Sequence, residues 1–187
     1  TVFGADIEDI VDRVPIGTGD GPGNLDSAWQ VGADMDATLK FAKLGLTGTQ
    51  LTFHGEWRDS RVADPLTGVD RPINGDDIYS LNAELRRDIP QTDWAVGVFL
   101  ESYNENEVYR LDEVTHQGNQ PAFSYVYVEN KDLLGMTGTL TLGNILNQHD
   151  WRWRETYAPN RLGTLVTREA RSRDFGPIVS FKLKGTF

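Results

Sequence analysis

The 187 residues contain no cysteine. That excludes a disulfide framework and a thiolate metal site, and it removes any argument for a cytosolic redox role. No apolar run reaches the roughly 18 residues that a transmembrane helix needs. A membrane barrel is not excluded by this, because every second residue of a barrel strand faces a polar interior. Histidine is scarce: His54, His116 and His149 lie in different segments at no ligand spacing, so no metal site is expected. The chain holds no G-x-S-x-G, no Walker loop and no H-E-x-x-H. His116 with Asp112 is the nearest approach to a relay, and no nucleophile stands beside it. The reading is therefore of a non-enzyme with no catalytic residue and no cofactor. Basic charge is also short, with 18 Lys and Arg against 28 Asp and Glu and a net charge of −10. That composition disfavours nucleic acid as a partner. The sequence opens on Thr1 with no signal peptide, which is expected of a mature form or a piece of a longer chain.

What is abundant is alternation. Trp29, Val31, Ala33, Met35, Ala37, Leu39 and Phe41 form one apolar series, with polar or small residues between them. Leu51, Phe53, Gly55 and Trp57 form the next, opposed by Thr52, His54, Glu56 and Arg58. Similar series run through Tyr79–Leu85, Trp94–Leu100 and Met136–Leu142. Period two with β-branched and aromatic residues predicts strands, and runs near ten residues match the length of tilted membrane-spanning ones. Over residues 122–130 the tyrosines and Glu129 are placed inward and the valines outward. Ile7, Ile10, Val11 and Val14 sit at helical spacing, so periodicity alone leaves Asp6–Val14 open between a short helix and an irregular strand.

Eight strands are expected, in one unit over residues 1–187. The links between them alternate in length. Residues 13–26, 60–76, 104–120 and 148–173 read as long polar loops, and 42–48, 88–93 and 131–135 as short turns. Long loops on one side and short turns on the other are how outer-membrane barrels are built. The run Gly17-Thr18-Gly19-Asp20-Gly21-Pro22-Gly23 does not fit a dinucleotide fingerprint and is expected to be a flexible loop. Trp29 and Trp57 fall near long-loop ends; Phe41, Trp94 and Phe187 fall near short-turn ends, as two interfacial girdles would require. On the inward side, His54, Glu56, Arg58, Glu84, Arg86, Glu101, Lys182 and Lys184 predict an interior filled by ion pairs.

Charge is unevenly spread. Residues 1–41 carry eight acids against Arg13 and Lys40, whereas residues 148–173 carry six arginines against three acids. Within that last loop, Trp151, Arg152, Trp153, Arg154 and Tyr157 form the candidate ligand-binding set, for an anionic solute held by charge and stacking. At the end of the chain, Val179, Phe181, Leu183 and Phe187 form one face of a terminal strand that closes on an aromatic residue. These four are the candidate barrel-assembly signal.

Several stretches together resemble one family. Phe3-Gly4-Ala5-Asp6-Ile7-Glu8-Asp9-Ile10-Val11-Asp12, Trp29-Gln30-Val31-Gly32-Ala33-Asp34-Met35-Asp36-Ala37, Gly143-Asn144-Ile145-Leu146-Asn147-Gln148 and the segment from Asp174 to Phe187 resemble, in order, strands of the carboxy-terminal barrel of TonB-dependent outer-membrane receptors. The resemblance favours strand over helix for residues 2–14. It implies an all-β antiparallel transmembrane barrel segment, the last eight strands of a larger barrel, with the plug domain upstream. It also implies the Gram-negative outer membrane as location and uptake of a scarce solute such as a siderophore, cobalamin or carbohydrate. The implied partners are outer-membrane lipid and lipopolysaccharide, the barrel-assembly machinery, the TonB complex through the plug, and the small solute. Gly185 departs from the aromatic that is common three residues from the end of such strands.

Two alternatives stand beside this. A complete eight-stranded outer-membrane barrel with a structural or adhesion role would place all function in the loops. A soluble barrel with an apolar ligand is opposed by the charged inward residues. If the chain is a piece, its first and last strands are unpaired edges.

Overall fold

A computed structural model describes residues 1–185. It is all-β, with one single-turn 3-10 segment at Ala42–Leu44. The hairpin of β1 (Val2–Ile16) and β2 (Gly19–Lys40) opens the chain, and β3 (Thr49–Ala63) follows. The short β4 (Asp70–Arg71) lies against β3, and β5 (Asp77–Asp88) and β6 (Trp94–Glu105) come next. After them run β7 (Val108–Tyr109), β8 (Glu113–Gln120), β9 (Phe123–Leu133), β10 (Met136–Gly143), β11 (His149–Ala158), β12 (Thr164–Asp174) and β13 (Ile178–Lys184). Every pairing is antiparallel. One path of hydrogen-bonded neighbours runs β1-β2-β3-β5-β6-β9-β10-β13, and a second leaves β6 through β8, β11 and β12.

The second path continues the first. Only two residues separate β8 from β9, and β10 leads into β11 and β12 into β13 across short breaks. The breaks are stitched to one another. Asn144, in the left-handed region at φ 53°, donates from its side chain to the carbonyls of Gln148 and Gly176, both at 3.1 Å. It accepts from the Gln148 amide at 2.6 Å, and the Leu146 amide donates to the Ser124 hydroxyl at 3.0 Å. Ser124 and Asn144 are buried, and their side chains satisfy backbone groups that the interrupted ladder leaves free. Asparagine suits the site because it tolerates positive φ better than most residues.

Four expected loops are corrected. The supposed loop over 13–26 is a continuous β ribbon turned by Gly17-Thr18, where Gly17 at φ 60° supplies the conformation a two-residue hairpin demands. The loop over 148–173 is likewise mostly strand, β11 and β12 around residues 159–163. The stretches 60–76 and 104–120 also hold strand, in the ends of β3 and β6 and in β4, β7 and β8. The difference in length between the two ends survives, because the remaining links 41–48, 89–93 and 134–135 are short. Residues 2–14 are strand, with the irregularity at Asp9, φ 53°.

The two faces of the sheet differ sharply. Leu39, Leu51, Leu85, Val98, Val126, Leu142 and Val179 stand opposite one another in register across seven strands. Val96, Val128, Leu140 and Phe181 form the adjacent row. These side chains are solvent-accessible in the isolated chain, Leu142 at 42% and Val179 at 72%. The opposite face is polar. Arg86 donates to Glu129 at 2.6 Å and to the Tyr127 hydroxyl at 3.2 Å, and Tyr127 donates to Glu84 at 2.6 Å. The Tyr127 ring lies flat across Gly97, where any Cβ would collide with it. Arg58 pairs with Asp34 at 2.5 Å, and His54 contacts Asp36 at 2.7 Å. The tyrosines of β9 are therefore on the polar face and its valines on the apolar one, as the alternation predicts.

The sheet is not closed. Among the described residues, β1 pairs only with β2, β13 only with β10, and β12 only with β11. The small apolar core, Ala28, Val62 and Ile73 with Ile7, Ile10 and Leu25 around it, lies toward the long-hairpin end.

Candidate functional site

The long connections converge at that end on a buried set of charges. Asp12 comes from β1, Asp64 and Asn74 from the link between β3 and β5, and Arg71 from β4 within it. Tyr109 belongs to β7 and Arg161 to the turn between β11 and β12. Arg71 donates to Asp12 and to Asp64, each at 2.9 Å, and Arg161 donates to Asp64 at 2.6 Å. Arg71, Asp12 and Asp64 are 3%, 7% and 2% exposed, so these are buried ion pairs. Further hydrogen bonds complete them. Asn74 donates to Asp12 at 2.8 Å and to the Tyr109 carbonyl at 3.0 Å, and the Tyr109 amide donates back to Asn74 at 2.7 Å. Both guanidinium groups lie over the Tyr109 ring, at 5.5 Å for Arg71 and 5.2 Å for Arg161.

Asp64 also turns its own loop. It accepts from the amides of Leu66 and Thr67 at 3.0 and 2.9 Å, the pattern of an aspartate that opens a turn before Pro65. Burial pushes its carboxyl pKa up, but the hydrogen bond from Arg161 and the two amides outweigh this and hold it below the ordinary value. The phenol of Tyr109 is pushed up, first by burial and then by its hydrogen bond to Glu107. Two acids and two arginines balance in charge. Desolvation is offset by geometry and by extra hydrogen bonds, the condition under which a buried ion pair is tolerated. The knot joins the first, second, third and last of the long connections. Arg161 adds a bond to the Arg110 carbonyl at 2.5 Å, and Asp20 accepts from the Leu111 amide at 2.8 Å. It ties the ends of the long hairpins together.

The expected ligand-binding set lies on a strand, not a loop, and the strand separates it. Trp151 and Trp153 of β11 stand opposite Gly118 and His116 of β8 on one face, with edge contacts from both indoles to the His116 ring at 4.9 and 5.8 Å. Arg152 and Arg154 stand opposite Gln117 and Thr115 on the other face. Stacking and charge cannot act on one solute there, because adjacent strand residues point to opposite sides. Tyr157 donates to Glu155 at 2.6 Å, which lowers the carboxyl pKa and raises that of the phenol. His116 contacts Asn104 at 2.9 Å, while Asp112 offers its backbone carbonyl to the Tyr157 amide, so the two form no relay.

What the register does bring to the two arginines is β12. Arg171 stands opposite Arg152, and Glu169 opposite Arg154. Of the assembly residues, Val179, Phe181 and Leu183 share the outer apolar face of β13; Phe187 lies outside the described residues. Among the described residues no cluster of His, Asp and Glu is arranged to hold a metal ion. No family model, curated protein or solved structure matches the chain.

Proposed function

We propose that this chain is the carboxy-terminal segment of an outer-membrane receptor barrel of the TonB-dependent kind, serving uptake of a scarce solute. The observation that carries the reading is the seven-strand apolar row from Leu39 to Val179, exposed on one face and backed by an ion-paired polar face. A soluble protein rarely leaves a contiguous apolar surface of this extent uncovered, and lipid is the cover such a face fits. In this reading the chain makes eight passes: the short breaks at 121–122, 144–148 and 175–177 join β8 to β9, β10 to β11 and β12 to β13, and the two-residue β4 and β7 do not cross. The two edges that lack partners, β1 and β13, fit continuation into further strands of a larger wall.

The absence of cysteine makes the test direct. Single cysteines are placed at Leu85, Val98 and Val126, and separately at Glu84 and Thr139, in the intact protein within cells. The first three are expected to react with a lipid-soluble maleimide and resist a charged one, with the protein in the outer-membrane fraction. Equal labelling of both faces by the charged reagent rejects the membrane reading. Loss of solute uptake on removal of the TonB complex then tests the receptor reading.

One observation favours the second reading, a complete eight-stranded barrel. Asp12 near one edge is linked through Arg71 and Asp64 to Arg161 near the other, so the sheet curls enough for the link between β3 and β5 to bridge its first and last hairpins. Paired cysteines on β1 and β13 decide between the two. Rapid disulfide formation within one chain supports the small barrel, and its absence in the membrane supports the receptor segment.

A further inference from the structure

In an antiparallel ladder, like charges placed directly opposite each other destabilise the sheet. Arg152 and Arg171 are such a pair, one on β11 and one on β12. They flank a recess of about 20 Å³ lined by Arg152, Arg154, Glu169 and Arg171. Its acids are already engaged. Glu169 accepts from Arg154 at 2.8 Å and from Nε of Arg171 at 2.6 Å. Glu113 reaches only Arg154, at 3.5 Å. Glu105, the next acid on that side, accepts from Gln117 at 2.7 Å. Arg152 makes no hydrogen bond or ion pair among the described residues, and the terminal nitrogens of Arg171 make none either. Both side chains are exposed.

Two planar forks with unused N–H donors, on directly paired positions of neighbouring strands and lining one recess, suit an oxyanion. The recess has space for about one water molecule, enough for a single oxygen of such a group and none for an aromatic ring. A doubly charged phosphate balances both guanidinium groups, whereas a single carboxylate balances one.

From this arrangement we infer that Arg152 and Arg171 form a phosphate-binding site at the base of the β11–β12 hairpin, with Arg154 and Glu169 fixing the position of Arg171. The group bound is a phosphate dianion, either free or as the phosphomonoester head of a lipid. The site stands whether or not the chain belongs to an uptake receptor.

The test uses the intact protein in detergent, with inorganic phosphate as the probe and chloride at equal ionic strength as the control. Thermal unfolding is expected to shift upward saturably with phosphate alone, since a ligand of the native state stabilises it. Arg152→Gln and Arg171→Gln are each expected to weaken this response by about tenfold or more. In the absence of phosphate, Arg152→Gln is expected to melt at or above the temperature of the unaltered protein, because it relieves the opposed charges. A merely structural arginine would instead melt lower. A second arm replaces free phosphate with nanodiscs containing phosphatidic acid, against discs of phosphatidylcholine. An arginine-dependent response to free phosphate assigns a soluble source, and one confined to phosphatidic acid assigns a lipid source. No response to either probe, or a response that both variants retain, overturns the site.

Discussion

Arginine does opposite work in the buried knot and at the base of the last long hairpin. In the buried knot, Arg71 and Arg161 spend their donors on Asp12, Asp64 and backbone carbonyls, and an aromatic ring covers both. On the β11–β12 hairpin, Arg152 is exposed and unpaired among the described residues, and it faces another arginine. Removal from water requires each arginine of the first pair to face a carboxylate, since an unpaired buried charge costs several kcal/mol. Exposure lets the second pair stay open, since water solvates what the protein does not. The lesson is that charge count alone does not mark a ligand site. Exposure of the spare donors separates the two pairs.

Four measurements would break or sharpen that contrast. The largest effect belongs to the knot. Arg71→Met leaves Asp12 buried without a counter-charge and Asp64 with Arg161 alone, and is expected to destabilise the protein by about 3–5 kcal/mol. Denaturant unfolding of the intact protein in detergent would measure it, and a loss under about 1 kcal/mol would show that the knot is not desolvated. Next comes the apolar face. Val98→Arg, at mid-belt, is expected to cost about 2–4 kcal/mol in lipid. A change near zero in bilayers would remove lipid as the cover.

The third is acid. Asp64 has a folded-state pKa held below its ordinary value of 3.8. It therefore contributes stability that is complete above that value and is lost as pH falls through the lower folded value. Proteolysis of the 64–70 loop is expected to accelerate below 3.8 and to lose that acid-dependent rise in Asp64→Asn. An acid response unchanged in this variant would place the sensitive group elsewhere. The smallest effect is expected at Arg152→Gln, within about 0.5 kcal/mol in phosphate-free buffer, as for other exposed positions without a partner. A loss as large as that of Arg71 would erase the contrast altogether.

Much of the wall was legible in the sequence. Alternation from Leu51 to Trp57 and from Trp94 to Leu100 assigned those strands and their facing, because a period of two projects directly onto two faces. Even the weaker pattern around Tyr125 and Tyr127 gave the facing found. The ends of the hairpins were harder. Residues 13–26 are dominated by Gly, Pro and Asp, and in 148–173 the alternation of Trp151 and Trp153 with Arg152 and Arg154 is too short to announce a ribbon. Trp151-Arg152-Trp153-Arg154 looked like one cluster along the chain and is two half-clusters across a strand. Arg171 and Glu169 joined the site only through the register of β12, which no local pattern encodes.

The sequence by itself determined an all-β antiparallel sheet, the alternation of an apolar and a polar face, and the inequality of its two ends. These follow from backbone period and turn chemistry, which are local. The tertiary structure alone decided that Asp12, Asp64, Arg71 and Arg161 meet, and that Arg152 meets Arg171. Those contacts join residues many positions apart. They depend on how strands pair and how the sheet curls, and neither is written at any one position.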